Sequence, residues 1–357
     1  MRFFGRQEII DDLCALWGKR TSSLVTCRGR RRIGKATLIE RFAFVSGARF
    51  IKIEGLRPTA KMTNADQLKN FCEQLSVQTR AERTAAEHWL DAFICLDREI
   101  ATDAGRTVVL LDEVSWMAFD DYTFSGTLKI AWDNYFKRHP KLILVVCGSV
   151  STWIRREIID DGAFYGRRSM DLVVPELPLA ECVKFWGKSA ERIDVREIID
   201  VLSVTGGVPR YLEEINPSLS VDESLRQSCF SPSGYLFKDF DLMFDELYDD
   251  SARERKNVLK VLAERPMTVS EIAGALGRSK NGHVADLVKD LVQAGFLIAE
   301  RGVNPLTGAL RQEIRYRIGD NYVRFYLHFL LPRRSMIEDG TYRFDSLEQL
   351  PGWEGIL

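Results

Sequence analysis

The stretch Cys27-Arg28-Gly29-Arg30-Arg31-Arg32-Ile33-Gly34-Lys35-Ala36-Thr37-Leu38 holds a glycine, four intervening residues, a second glycine and a lysine. This is the spacing of a phosphate-cradling loop, in which successive backbone N–H groups and the start of a helix receive phosphate oxygens. Gly34 would allow close backbone approach, and Lys35 would reach the β and γ phosphates of a nucleotide. Arg30, Arg31 and Arg32 would add a field that favours an anion. The pattern asks for Ser or Thr next, and the chain has Ala36. That hydroxyl holds Mg2+ between the β and γ phosphates, which a methyl group cannot do. Thr37 does not replace it, since one helical step turns a side chain by about 100°. The expectation is binding of ATP or ADP, a weakened dependence on Mg2+ and slow turnover.

A second pair of residues fits the same chemistry. The run RTVVLLDEV (106–114) is apolar and ends in Asp112 and Glu113. Asp112 would hold Mg2+ directly or through water, and Glu113 would polarise the attacking water. Two adjacent carboxylates closing a buried strand need a ligand, an ion or a cap. Asp120 and Asp121, further on, read as a solvated loop. The histidines at 88, 139, 283 and 328 show no metal-ligand spacing.

The elements that must position these residues follow from apolar periodicity. SSLVTCRG (22–29) reads as a strand entering a turn, and ATLIERFAFVSG (36–47) as a helix ended by glycine. ARFIKIEGL (48–56), RTVVLLDEV and KLILVVCGSV (141–150) read as further strands, with QLKNFCEQLSV and EHWLDAFICLDREIATDAG as helices between them. Continuous apolar strands alternating with helices predict a parallel sheet covered on both faces, with ligand chemistry at the carboxyl ends of the strands. The loop, the Asp112-Glu113 pair and Gly148-Ser149 all fall at such ends.

The length of 357 residues exceeds one ordinary core. The boundaries read as a P-loop core over 1–174, a small helical domain over 175–245, a winged-helix domain over 250–320 and a tail over 321–357. In 252–302 three short helices precede two candidate hairpin strands, the winged-helix pattern, with Ser279 to Ala294 as its third helix. Its candidate DNA surface is Arg278, Lys280, Asn281, His283 and Lys289, with Arg301 and Arg311 on the wing. Asp286 and Asp290 interrupt it, and a packing or partner role is the competing reading. Lys and Arg number 50 against 51 Asp and Glu, a formal charge of -1, which excludes a wholesale nucleic-acid coat. Seven unpaired-looking cysteines and the absence of a signal-like or membrane-length apolar run favour a reducing, cytoplasmic setting without membrane association.

Together RGRRRIGKATLIERF, VVLLDEVSWM, LILVVCGSVSTWI, FYGRRSMDLVVPELPLAEC, TGGVPRYLEEI and RYRIGDNYVRFYLHFLLPRR, following FFGRQEIIDDLCAL, resemble the archaeal-type P-loop ATPases of the AAA+/STAND group. The resemblance runs over nearly the whole chain in order. It implies an α/β P-loop NTPase sheet followed by the helical and winged-helix domains. It also implies that Phe4-Gly5-Arg6 packs near the nucleotide base and that Ser149 is a polar sensor. Arg167 and Arg168 would answer to the γ phosphate, in cis or across a homo-oligomer, and Arg210 would be a second sensor. Ala36 departs from the family pattern. PGWEGIL stops where such proteins commonly continue into a nuclease-like domain, so the resemblance leaves two expectations for the tail, the start of a truncated further domain or the end of a shorter natural form. The resulting expectation is an ATP-binding switch protein with weakened Mg2+-dependent hydrolysis. The alternative is a non-hydrolysing regulator or a winged-helix DNA-binding protein, with a protein partner also open.

Overall fold

Strands without a polar face must be covered on both sides, and three of the chain's apolar runs form such strands, while a fourth run, RFIKIE, forms one that alternates. The structure is a computed structural model and describes residues 3–59, 61–82, 85–148, 151–191, 193–248, 251–278, 282–303 and 308–355. The strands are β1 (Ser23–Arg28), β2 (Arg49–Glu54), β3 (Thr107–Asp112) and β4 (Leu142–Cys147). Every residue of β3 and β4 is buried. A fifth strand, β5 (Arg168–Val173), joins them, and the parallel sheet runs in the order β2-β3-β4-β1-β5. The sequence reading contains no strand at β5. It is an edge strand in which only Leu172 is fully buried, so it lacks the apolar run that marks the others.

The strand order reverses at β1, which lies between β4 and β5. Such a switch point opens a crevice at the carboxyl ends of the strands. Register sets the neighbours there: Cys27 of β1 lies opposite Cys147 of β4, and Glu54 of β2 opposite Asp112 of β3. Helices Asn64–Thr79, Trp89–Ala101 and Phe124–Asn134 supply aromatic cover for the sheet. Trp89 meets Phe71 edge-on at 5.6 Å and Phe124 at 4.7 Å between ring centroids, the geometry that ring quadrupoles favour. The first of these helices starts where Thr63 and Asp66 cap each other, with Thr63 N donating to Asp66 Oδ2 at 2.9 Å.

The chain divides into two units: Met1–Gly29 with Gly34–Pro175, and Arg30–Ile33 with Glu176–Leu357. Four residues of the loop between β1 and the next helix therefore belong with the second unit. That unit contains helices Val195–Thr205, Val221–Cys229 and Tyr235–Tyr248, and then Ala252–Leu262, Val269–Ala275 and Gly282–Gln293. The last three precede an antiparallel hairpin of β6 (Leu297–Val303) and β7 (Leu310–Ile318). Helical turns over 321–338 follow. Phe325 and Phe329 pack edge-on against Trp353, whose Nε1 donates to Asp200 Oδ1 at 3.3 Å.

Candidate functional site

Helix Lys35–Val45 begins directly after the loop, with Gly34 at φ 81° and ψ 36° as its cap. This left-handed conformation suits glycine, because a Cβ there costs conformational energy. Lys35 is buried, and its Nζ donates to the Gly29 carbonyl at 3.0 Å. Arg6 lies close by: its Nη1 is 3.4 Å from where a Cβ on Gly34 would stand, and its Nη2 donates to Pro175 O at 3.4 Å. Burial holds the Arg6 guanidinium down at about 10, with Cys27 acting in the opposite sense. The buried Lys35 and the half-buried Arg6 thus flank the start of a helix, where backbone N–H groups already favour an anion. Ala36 and Thr37 are half-buried on the first turn.

Asp112 and Glu113 are both buried at the end of β3. Asp112 Oδ1 accepts from the Glu113 N–H at 3.1 Å, while Lys52 Nζ lies 3.2 Å from Oδ2. Lys52 also bonds Glu54 Oε2 at 2.9 Å. Burial works against the Lys52 charge, but Glu54 and Asp112 outweigh it and raise its pKa. Glu113 adopts φ 49° and ψ 47° and starts the helical turn Val114–Met117. Between these acids and the loop, the Cys147 thiol is pushed well above its ordinary range, first by its hydrogen bond with Cys27 and then by burial. The Asp112 charge adds to that rise and the Lys35 charge opposes it, so lysine, acid and thiols share one electrostatic environment.

The sheet therefore gathers Gly29, Gly34, Lys35, Ala36, Thr37, Asp112 and Glu113 at its carboxyl edge. It places Arg167 and Arg168 at the other edge. Arg168 opens β5 opposite Leu24, near the start of β1, and six strand residues span about 17 Å. Arg167 makes a bidentate pair with Asp133, at 2.9 and 3.0 Å, and also donates to Ala163 O at 2.8 Å. Arg168 donates to Ile159 O at 3.1 Å. Ser149, Lys280, Asn281 and the Arg311 side chain lie outside the described residues.

In the second unit, Arg30 pairs with Asp320, Arg31 with Glu246 and Arg32 with Asp239. Ile33 is fully buried. Arg210 pairs with Glu213 at 3.2 Å and Glu214 at 2.6 Å and lies over the Tyr235 ring at 4.4 Å. Sequence reasoning missed Lys52, the two thiols, Tyr211, Asp239, Glu246 and Asp320. The available signal was an acid inside an apolar helix, as in YLFKDFDLMF, where Asp239 occupies the buried face.

No protein family model matches the chain. An uncharacterized protein of Methanocaldococcus jannaschii is 21% identical over 348 residues, 97% of this chain and 73% of that protein. Among solved structures, a Walker-type ATPase of Pyrococcus abyssi superposes with a TM-score of 0.66 at 17% identity, over 91% of this chain and 96% of its own. The ORC2 protein of Aeropyrum pernix, in ADPNP and ADP complexes, gives 0.52 at 14% identity over 94% of each chain. The chain shares their fold. A parallel sheet flanked by helices, with a phosphate-type loop after β1, is consistent with the AAA+/STAND-like architecture that the resemblance implies. Among the described residues, no helix is long and apolar enough to cross a membrane.

Proposed function

We propose that this chain is an ATP-binding switch of the AAA+/STAND-like kind, with Mg2+-dependent hydrolysis weakened by Ala36. The observation that carries this reading is the buried Lys35 behind a left-handed Gly34, at the same sheet edge as the buried Asp112-Glu113 pair. The phosphates would rest on the backbone N–H groups of the loop and helix start, with Lys35 and Arg6 supplying positive charge. Glu113 would orient and deprotonate the attacking water. The donor set fits a nucleotide phosphate better than it fits Mg2+: Asp112 already holds Lys52, and Ala36 offers no oxygen. When bound, Mg2+ would supply charge neutralisation at the β and γ oxygens, with Asp112 as its protein partner.

Arg167 and Arg168, at the far edge of the sheet, would reach a γ phosphate only from a neighbouring copy, and Ser149 would serve as the polar sensor. Arg210 and the winged-helix reading of 250–320 belong to the same proposal, as the part of the chain that responds to nucleotide. The fold shared with a Walker-type ATPase and with a protein solved with ADPNP and ADP supports this reading. The test is titration calorimetry with ATP and ADP, with and without Mg2+, beside phosphate release from the native and Ala36→Thr chains. Binding by the native chain is expected, with release rising about tenfold or more in Ala36→Thr, a barrier change of about 1.4 kcal/mol. Absence of binding, or an unchanged rate in the variant, would sink it.

A further inference from the structure

The three loop arginines are held by acids far along the sequence, on two different elements. Arg30 and Asp320 are only 7% and 1% exposed, and Asp239, the partner of Arg32, is 0% exposed. Arg32 Nε lies 3.0 Å from both Asp239 oxygens, and Tyr211 donates its hydroxyl to Asp239 Oδ2 at 2.9 Å. Glu246, about two helical turns further along Tyr235–Tyr248, takes Arg31 and lies 4.0 Å from Arg32. Asp320 accepts from Val323 N at 2.9 Å, and the Arg30 guanidinium sits 5.1 Å over the Tyr211 ring.

A buried guanidinium cannot change partners cheaply, because each charge left without its counterpart carries a large desolvation cost. The backbone between Gly29 and Gly34 is fixed accordingly. Arg32 adopts φ 66°, a left-handed conformation that a non-glycine residue keeps only where its surroundings determine it. The side chains of Arg30, Arg31 and Arg32 point to carboxylates, which leaves phosphate contact to the loop's N–H groups and Lys35.

We propose that Asp239, Asp320 and Glu246 are positioning residues for the phosphate loop. By gripping Arg30, Arg31 and Arg32 they hold the N–H groups of Ile33 to Lys35 in the anion-receiving arrangement, and so tie nucleotide affinity to helix Tyr235–Tyr248 and the turns after β7. This rests on the nucleotide reading above. It differs from it in making unit-two acids, which touch no phosphate, determinants of affinity.

The test uses the full chain and its Arg31–Glu246 pair, whose side chains are 16% and 29% exposed, so that single changes leave the fold intact. Fluorescent mant-ADP affinity, melting temperature and amide hydrogen exchange over 30–35 are measured for native, E246Q, R31Q and the swap Arg31→Glu with Glu246→Arg. Expected are about tenfold weaker binding and faster exchange in both single variants at an unchanged melting temperature, with the swap restoring both. D239N and D320N should show the same pattern more strongly, with a lowered melting temperature. Native-like binding and exchange in E246Q and R31Q would overturn the proposal, as would losses that the swap leaves uncorrected. Should the native chain bind no mant-ADP, the nucleotide reading falls, while faster loop exchange in E246Q still supports the positioning role and unchanged exchange ends it.

Discussion

Lys35 and Ala36 are adjacent and carry opposite messages about the chemistry. The lysine is buried and donates to the Gly29 carbonyl, as a phosphate clamp would, whereas the methyl of Ala36 offers no oxygen to a metal ion. In the proposed switch, retention and release of phosphate would therefore be set by different residues. A third residue constrains the acids. A Cβ on Gly55 would stand 2.7 Å from Glu113 O and 2.9 Å from Met117 N, both backbone atoms that cannot swing aside. Gly55→Ala is expected to lower stability by about 1–3 kcal/mol through overpacking and to displace Glu113. Urea unfolding measures the first effect. Phosphate release measures the second, and it should fall further than the stability change explains at saturating nucleotide.

At the scale of elements, β3 and β4 were legible because each is six buried residues long and apolar apart from Thr107 and Asp112 at the two ends of β3. The Lys35–Val45 helix was legible from its flanking glycines and periodicity. β5 was not, because an edge strand needs no continuous apolar run, and its charged first residue read as a motif arginine instead. The destination of Arg30, Arg31 and Arg32 was also hidden. Ion pairs between residues more than 200 positions apart leave no local pattern, so a charge run inside a phosphate motif reads as phosphate-facing. Arg167 shows the same effect. Its bidentate bond lowers the Asp133 pKa from 3.8 to about 2. A depressed acid contributes stability that is complete above the unfolded value of 3.8 and is lost as pH falls through about 2. The stability difference between native and Asp133→Asn chains should therefore be constant above about pH 5 and shrink toward pH 2 in acid unfolding curves. It should stay small throughout, because Asp133 is only half-buried and solvent screens the pair. A difference that grows on acidification would contradict the assignment.

Over the whole molecule, 50 basic and 51 acidic side chains nearly cancel, and the cancellation is local as well as global. On the three-helix and hairpin segment, Glu254 takes both Arg278 at 2.6 Å and His283 at 2.9 Å. Arg315 pairs with Glu271 at 3.3 Å and Arg317 with Glu300 at 2.6 Å. Arg255 is likewise taken by Asp290, at 2.5 Å. A surface that binds duplex phosphates needs cations that release counterions, and each contact of that kind adds about 0.9 to the slope of log affinity against log salt. With these five cations already matched by carboxylates, the proposed packing or signalling role accords with the segment better than DNA contact does. Fluorescence anisotropy with an arbitrary labelled duplex should show weak binding by the native chain at low salt. Glu254→Gln releases Arg278 and His283, and the salt slope should then steepen by about one unit. Tight, steeply salt-dependent binding by the native chain, unchanged in Glu254→Gln, would instead place DNA recognition on this segment and make the acid pairs incidental.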